Sequence, residues 1–375
     1  MARLDEICSI NMGQSPDSSS YNDNGDGLPF FQGNADFGEI HPRVRVWCNS
    51  PTKIANPGDI LISVRAPIGA LNIADTQCCI GRGLAALTVD ESICGRKYLW
   101  YTISGKVDEL NAKGTGSTFK AISKGILAET EIPIVPLEEQ KRIGAVLDIV
   151  FHLIALRKNQ LQKLDNLVKA RFVEMFGAFP ENPMGWETGT IRDVVSDVRY
   201  GSSRPAVEGG RYPYLRMNNI TYGGELDLTD TKQIDVPENE LEKCTIRRGD
   251  VLFNRTNSKE LVGKTCVYNR DEMMVLAGFV IRIRLNNQML PDFLSAFLNT
   301  DFSKAMLLGM CKTAIGQANI NAQEMQGIQL YIPPIERQAE FVRFKEQIDK
   351  SKLSIQQGLE KLETLKKSLM QQYFG

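Results

Sequence analysis

One stretch of this chain is written twice. Ile134-Val135-Pro136-Leu137-Glu138-Glu139-Gln140 returns as Ile332-Pro333-Pro334-Ile335-Glu336-Arg337-Gln338, and Phe176-Gly177 returns as Phe374-Gly375, at a constant offset of 198 residues. Between those ends the copies align without a gap, so that Leu161-Gln162-Lys163-Leu164-Asp165-Asn166-Leu167 faces Leu359-Glu360-Lys361-Leu362-Glu363-Thr364-Leu365. A repeat sets the architecture before any local reading does. It divides the chain into a head at 1–136, a repeated segment at 137–177, a second head at 178–335 and the second copy at 336–375.

The repeated segments have helical periodicity. Leu147, Val150, Ile154, Leu161, Leu164 and Val168 alternate spacings of three and four, with Arg157 and Arg171 at the skipped places. Ile348, Ile355, Leu359, Leu362 and Leu369 keep the same track in the second copy, interrupted by Lys345, Lys352 and Lys366. Proline precedes each segment and glycine closes it, which are helix start and stop signals. At 1.5 Å per residue each helix spans about 60 Å. A lone helix of this kind packs as readily on its own domain. Two copies with matching seams instead predict an antiparallel pair that relates the heads by an approximate two-fold axis. Such a body suits a bipartite site on duplex DNA.

The heads are related more loosely. Asn56-Pro57-Gly58-Asp59-Ile60-Leu61-Ile62-Ser63 matches Arg247-Arg248-Gly249-Asp250-Val251-Leu252-Phe253-Asn254, and Leu28-Pro29-Phe30-Phe31-Gln32-Gly33-Asn34 parallels Tyr212-Pro213-Tyr214-Leu215-Arg216-Met217-Asn218. Offsets drift between 184 and 198, so the heads carry insertions where the helices do not. Strands are expected at 44–47, 85–89 and 279–285 and helices near 96–110 and 291–309, giving an α+β chain with two mixed α/β heads. Variable loops on a shared scaffold are where specificity is placed.

Catalytic constellations are missing. The two histidines, His41 and His152, lie in different segments, which leaves an acid–base triad little to work with; His152, in the seam region, reads as a packing residue. Gly263-Lys264-Thr265 ends like a phosphate loop, but Ser258 stands where its first glycine belongs. Gly81-Arg82-Gly83 lacks the third glycine of a dinucleotide fingerprint, and Asn182-Pro183-Met184-Gly185 lacks the aromatic of a base-gripping loop. The eight cysteines show no zinc spacing and read as buried thiols of a reducing cytoplasm. No signal peptide or apolar span long enough for a membrane is present, so a cytoplasmic protein with neither metal nor bound cofactor is expected. A net charge of −1 argues against a general nucleic-acid glue, and any DNA-binding cations must be gathered on one face of each head.

Polar loops supply candidates. Arginine bidentate to guanine and asparagine or glutamine bidentate to adenine read base edges, while serine, threonine and lysine hold phosphates. In the first head the candidates are Gln32, Asn34, Arg43, Arg45, Arg65, Arg82, Lys113, Ser117, Thr118 and Lys120. In the second they are Arg199, Tyr200, Arg204, Arg216, Asn218, Arg255, Asn257, Lys259, Lys312 and Gln317. Such loops also form plain turns, so they count collectively rather than singly.

The order head, helix, head, helix, with Pro136-Leu137-Glu138-Glu139-Gln140 and Pro334-Ile335-Glu336-Arg337-Gln338 opening the helices and Phe-Gly closing them, resembles the specificity subunit of type I restriction-modification systems. So does Gly249-Asp250-Val251-Leu252-Phe253-Asn254-Arg255-Thr256-Asn257, and the likeness covers nearly the whole chain; the first head lacks the lead-in that 179–186 gives the second. The resemblance implies two target-recognition domains separated by an antiparallel coiled coil that fixes the gap of a divided site. It implies a non-catalytic chain that docks two methyltransferase subunits and restriction subunits. Those partners would carry S-adenosylmethionine, ATP and magnesium. A recognition subunit of a related type II system, or a coiled-coil scaffold whose heads bind proteins, would share much of this pattern.

Overall fold

The repeated segments are helical end to end, 40 residues each, at Leu137–Phe176 and Ile335–Phe374. The computed structural model describes residues 1–116, 120–314 and 317–375, with the backbone alone for 312–314 and 317. The chain folds as two compact units, one made of Met1–Lys158 with Gln357–Gly375 and the other of Asn159–Gln356. Each unit therefore holds half of each long helix.

In the first unit a four-stranded antiparallel sheet runs in the order Cys8–Met12, Leu84–Val89, Ile60–Ser63, Leu71–Ile73. A second sheet runs Tyr21–Asn22, Trp47–Cys48, Leu28–Phe31, Cys78–Ile80, Ile54–Ala55, with Leu28–Phe31 and Cys78–Ile80 parallel. Alternation along the central strand decides the layering: Ile60 and Ile62 join the core with helix Arg96–Gly105, whereas Leu61 joins Phe31 and Ile80 of the second sheet. Because both faces of this strand are covered, its sequence is a continuous apolar run.

The second unit repeats the plan. Its four-stranded sheet runs Val195–Tyr200, Val280–Leu285, Val251–Asn254, Thr265–Val267, and the second sheet runs Lys232–Ile234, Tyr212–Leu215, Met274–Leu276, Thr245–Ile246. Val251 and Phe253 face the helical core while Leu252 faces Leu215 and Leu276. The α+β expectation holds. The expected strand at 44–47 is shorter: the ladder covers Trp47–Cys48 with one further bond from Phe30 N–H to Val46 O at 2.9 Å, and before it the Arg45 guanidinium turns back onto the Ala35 carbonyl and the Asp36 carboxylate.

The long helices pair in both units. In the first, Lys158 bonds Glu363 at 2.9 Å and the Lys366 ammonium lies 4.6 Å from the Phe151 ring centre. In the second, Lys352 bonds Asp165 at 2.6 Å and the ring centres of Phe172 and Phe341 are 5.3 Å apart. Partner numbers fall on one helix as they rise on the other, so the pairing is antiparallel within each unit. Leu147, Val150, Ile154 and Leu359 are buried; Leu161, Leu164, Val168, Ile348, Ile355, Leu362 and Leu369 are half-buried. The lysines that interrupt the seam carry their charge outward to carboxylates, with Lys345 on Asp292 and Asp349. His152 is a correction: it is exposed and lies outside the buried stripe.

The heads share cores with the helix ends. Ile143, Leu147, Leu369 and Tyr373 join Tyr98 and Leu99 in the first unit. In the second, Phe172, Phe176 and Phe341 join Phe293 and Phe297, and Phe176 meets Phe293 edge-on at 4.8 Å. The repeated glutamine fixes each helix start. Gln140, 1 % exposed, accepts from Gly95 N–H at 2.7 Å and donates to the carbonyls of Ile93 and Val135 at 3.0 and 2.8 Å. Gln338, 0 % exposed, accepts from Leu290 N–H at 2.9 Å and donates to Gln288 and Pro333, both at 2.8 Å.

Truncating either amide removes three hydrogen bonds to largely part-buried backbone groups, each worth about 1 kcal/mol net. Gln140→Ala and Gln338→Ala should each lower stability by about 2–4 kcal/mol in urea titrations. Gln356→Ala, on an exposed helical site, should change it by under about 0.5 kcal/mol. Unmoved midpoints in the first two variants would refute the clamp.

Candidate nucleic-acid interface

In the first unit several strand ends meet at one rim. The edge strand Cys8–Met12 leaves its sheet at Gly13, whose N–H donates to Leu84 O at 2.9 Å. A Cβ there would stand 2.2 Å from Gly81 O, so only glycine allows the 81–83 loop to press on the strand end. Ser15 locks the junction: its hydroxyl and the Gln32 amide exchange hydrogen bonds at 2.9 and 3.1 Å, and it accepts from Arg82 N–H at 3.3 Å. Gly83 N–H then donates to Gln32 O, Val64 N–H to Gly83 O, and Ala66 N–H to Lys120 O. This chain of bonds brings Gln32, Arg82, Arg65 and Lys120 together.

The Asn34–Asp36 turn adjoins it. Asp36 accepts from the N–H groups of Gln32 and Gly33 at 2.7 and 3.3 Å and holds Arg45. Arg43 is exposed beside it. Arg43, Arg65, Arg82 and Lys120 project into solvent and have no carboxylate partner among the described residues. Lys113, by contrast, pairs with Glu109 at 2.6 Å one helical turn away.

The second unit builds the same rim with different electrostatics. Gly201 matches Gly13, an added Cβ lying 2.2 Å from Leu276 O. The Arg255 guanidinium lies 5.0 Å from the Tyr200 ring centre, while Tyr200 Oη accepts from Ala322 N–H at 2.9 Å. Arg204 forks onto Glu240 at 2.7 and 3.1 Å, Arg216 bonds Asp230 at 2.8 Å, and Arg199 bonds Asp197 at 2.8 Å. The buried Nε atoms of Arg216 and Arg255 have no hydrogen-bond partner, and Arg255 Nη1 lies 3.5 Å from Gly278 O.

These paired rims sit in segments that match one family model, the type I restriction modification DNA specificity domain, over residues 1–166 and again over 183–366. The chain belongs to that family. Among similar proteins are the putative type I restriction enzyme MjaX specificity subunit of Methanocaldococcus jannaschii, 42% identical over 160 residues, and the type I restriction enzyme EcoKI specificity subunit of Escherichia coli, 25% identical over 289. The matches cover 43% and 72% of this chain but 38% and 61% of those relatives. An S subunit of a type I restriction-modification system from M. genitalium superposes over 100% of this chain and 95% of its own, with a TM-score of 0.56 at 14% identity, which shows a shared fold. A structure described under complex assembly and conformational transition of the type I R-M system gives 0.56 at 18% identity, covering 100% and 96%.

Within the two specificity domains the polar candidates separate. Asn257 is committed to structure: it donates to Asn254 Oδ1 at 2.9 Å and accepts from Ser258 N–H at 2.9 Å. Asn218 points to solvent, while its neighbour Asn219 is the buried brace of the turn. Ser117 and Thr118 lie outside the described residues, as do the side chains of Lys312 and Gln317.

Ser15, Gly13 and Gly201 were missed by sequence reasoning, although Met12-Gly13-Gln14-Ser15 and Tyr200-Gly201-Ser202-Ser203 align once the heads are registered by their central strands. Lys304 was also missed. It bonds Gly263 O at 3.1 Å and lies 5.3 Å from the Tyr222 ring centre, beside a cavity of about 310 Å³ that Lys259 and Leu308 also line. No group of three His, Cys, Asp or Glu residues with metal-binding geometry occurs among the described residues. No helix among them is long and apolar enough to cross a membrane. Burial pushes the thiols of Cys8 and Cys78 up to about 12, so they stay protonated at neutral pH.

Gly13→Ala should destabilise the first unit by about 3 kcal/mol or more in denaturation, whereas Gly33→Ala, where a new Cβ meets nothing within 4 Å, should be tolerated. A second expectation concerns pH. Burial, with the Lys169 and Lys264 ammoniums nearby, lowers Lys304 from 10.5 to about 8. Between those values the unfolded chain binds more protons than the folded one, so this lysine's contribution to stability rises with pH. Lys304→Met should flatten the rise between pH 8 and 10 in unfolding midpoints. An unchanged pH profile would contradict the assignment.

Proposed function

We propose that each specificity domain reads one half of a divided duplex sequence through the loops at its strand ends, and that the chain performs no catalysis. The observation that carries this reading is the duplicated rim: one scaffold, built twice, with the same glycine-sealed junction and different side chains at its edge. Two methyltransferase subunits would supply S-adenosylmethionine and the adenine chemistry. Restriction subunits would bring ATP, magnesium and cleavage. The cytoplasm, where DNA and reduced thiols coincide, is the matching compartment.

Physical roles follow from exposure and pairing. Arg65, Arg82 and Lys120, exposed and without carboxylate partners among the described residues, suit phosphates, where charge alone is enough. Arg255, held beside the Tyr200 ring and near Gly278 O, has a guanidinium already positioned, which suits base-edge recognition.

Selection from a random duplex library by the chain with its methyltransferase partner should enrich two fixed half-sequences. Arg255→Ala should relax one half by about 1–3 kcal/mol per affected base pair and leave the other intact. Arg65→Ala with Lys120→Ala should weaken binding to all sequences alike and reduce the salt slope by about 0.9 for each lost phosphate contact. A library with no enriched motif would refute DNA reading.

A further inference from the structure

The central strand of each four-stranded sheet follows the same aspartate turn. Asp59 accepts from Asn56 N–H at 2.8 Å, and Asp250 accepts from Arg247 N–H at 2.9 Å. Beyond the turn the two domains differ. In the second, Asp250, 2 % exposed, is met by Arg284 through Nε at 2.8 Å and Nη2 at 3.3 Å. Beside it Arg282 bonds Asp197 at 2.6 Å and Thr245 O at 2.6 Å.

Strand register identifies the counterparts in the first domain. Arg284 stands opposite Asp197, as Thr88 stands opposite Ser9, and Arg282 faces Leu252, as Ala86 faces Leu61. The carbonyl contact is retained by other means: Asn11 Nδ2 donates to Ile54 O at 2.8 Å, and Ile54 pairs with Cys79 as Thr245 pairs with Val275. Among the described residues no side chain forms an ion pair in the place of Arg284; the Arg96 guanidinium lies beside Gly58 and bonds Glu91. Asp59 is only 4 % exposed and forms no ion pair among the described residues, leaving its second carboxylate oxygen without a cation.

That carboxylate opens onto a groove of about 740 Å³ along the strand Cys8–Met12, lined also by Ser9, Asn11, Lys53, Thr88 and Lys124. A buried carboxylate without a cation is costly, and the neighbouring domain shows which group fits it. The strand is the edge of its sheet, where a polypeptide can add main-chain hydrogen bonds. The groove's rim carries two exposed lysines, Lys53 and Lys124, without carboxylate partners. Asp59 repels phosphate, which disfavours DNA as the occupant.

We propose that this groove docks a partner polypeptide through an arginine whose guanidinium seats on Asp59, with flanking acidic residues meeting Lys53 and Lys124. The groove reaches Gly13 and Gln14 at the foot of the rim but is lined by none of the side chains assigned there to DNA. Thr88 and Ser9 leave room for the side chain that the second domain supplies from its own strand.

The test uses the full chain and a fluorescein-labelled peptide, Glu-Glu-Leu-Arg-Glu-Leu-Glu, against the same peptide with citrulline, which keeps the shape and loses the charge. Fluorescence anisotropy should show at least tenfold tighter binding of the arginine peptide. Asp59→Asn, which keeps an oxygen for the turn, should erase that preference. Thr88→Arg should erase it too, while raising the melting temperature as the chain's own guanidinium fills the site. Equal binding of the two peptides, or a preference that survives Asp59→Asn, would overturn the proposal. So would tighter duplex binding by Asp59→Asn with peptide binding unchanged, which would make the groove a DNA surface.

Discussion

A 40-residue helix with a narrow apolar stripe takes its direction from whatever grips its ends, and in this chain the grip is a buried glutamine amide. Gln140 and Gln338, both buried, each close three backbone groups that neither helix nor sheet satisfies. An amide is suited to this because it donates twice and accepts at the same time. A glutamate would lose both donors and bury a charge. The clamp therefore joins helix to head at a point where slippage by one residue would break every bond, and the aromatic and aliphatic residues of the helix ends complete the core around it.

Once the helix start is fixed, the head cannot fold independently of both helices. In the first unit Ile143 and Leu147 come from one helix and Leu369 and Tyr373 from the other. In the second unit Phe172 and Phe176 come from one helix and Phe341 from the other. Each core thus closes with residues about 200 positions apart in sequence, a contact that must repay a long loop closure through the area it buries. The antiparallel pairing in each unit follows from the same arrangement. Lys352 and Lys366 interrupt the apolar stripe without breaking it, because their stems lie along the helices while their charges reach Asp165 and Glu363.

The architecture was legible in the sequence because duplication writes it twice: the helix limits, the central strands and the aspartate turns all recur at readable offsets. Local pairings were less legible. Val44 to Val46 looks like a strand by composition, yet Arg45 spends its guanidinium on Asp36 and only the Val46 carbonyl, bonded by Phe30 N–H, extends the pairing of Trp47 and Cys48. His152 looked like a seam residue, but the stripe is too narrow to include it. Asn257 has the chemistry of a base reader and is held within its own turn by Asn254 and Ser258, which no pattern reveals because the buried asparagine partner is itself unremarkable in sequence. The loop residues suffer the general difficulty that their aim depends on neighbours drawn from four or five separate segments.

On the proposed reading, the two rims would divide the work of recognition by electrostatics. An exposed arginine without a carboxylate partner contributes long-range attraction that salt readily screens, and it loses much side-chain freedom on contact. Arg204 and Arg216 have already surrendered that freedom to Glu240 and Asp230, in ion pairs that cost little to exchange because exposed pairs are weak. Meeting a phosphate, such an arginine trades one anion for another; meeting a base edge, it arrives with its plane already set. The carboxylates also penalise the wrong contact, since a phosphate brought near without displacing the pair meets a negative charge. On this logic the second domain would give up raw affinity for discrimination and the first would supply attraction, so that a chain with no net basic excess could still hold DNA selectively.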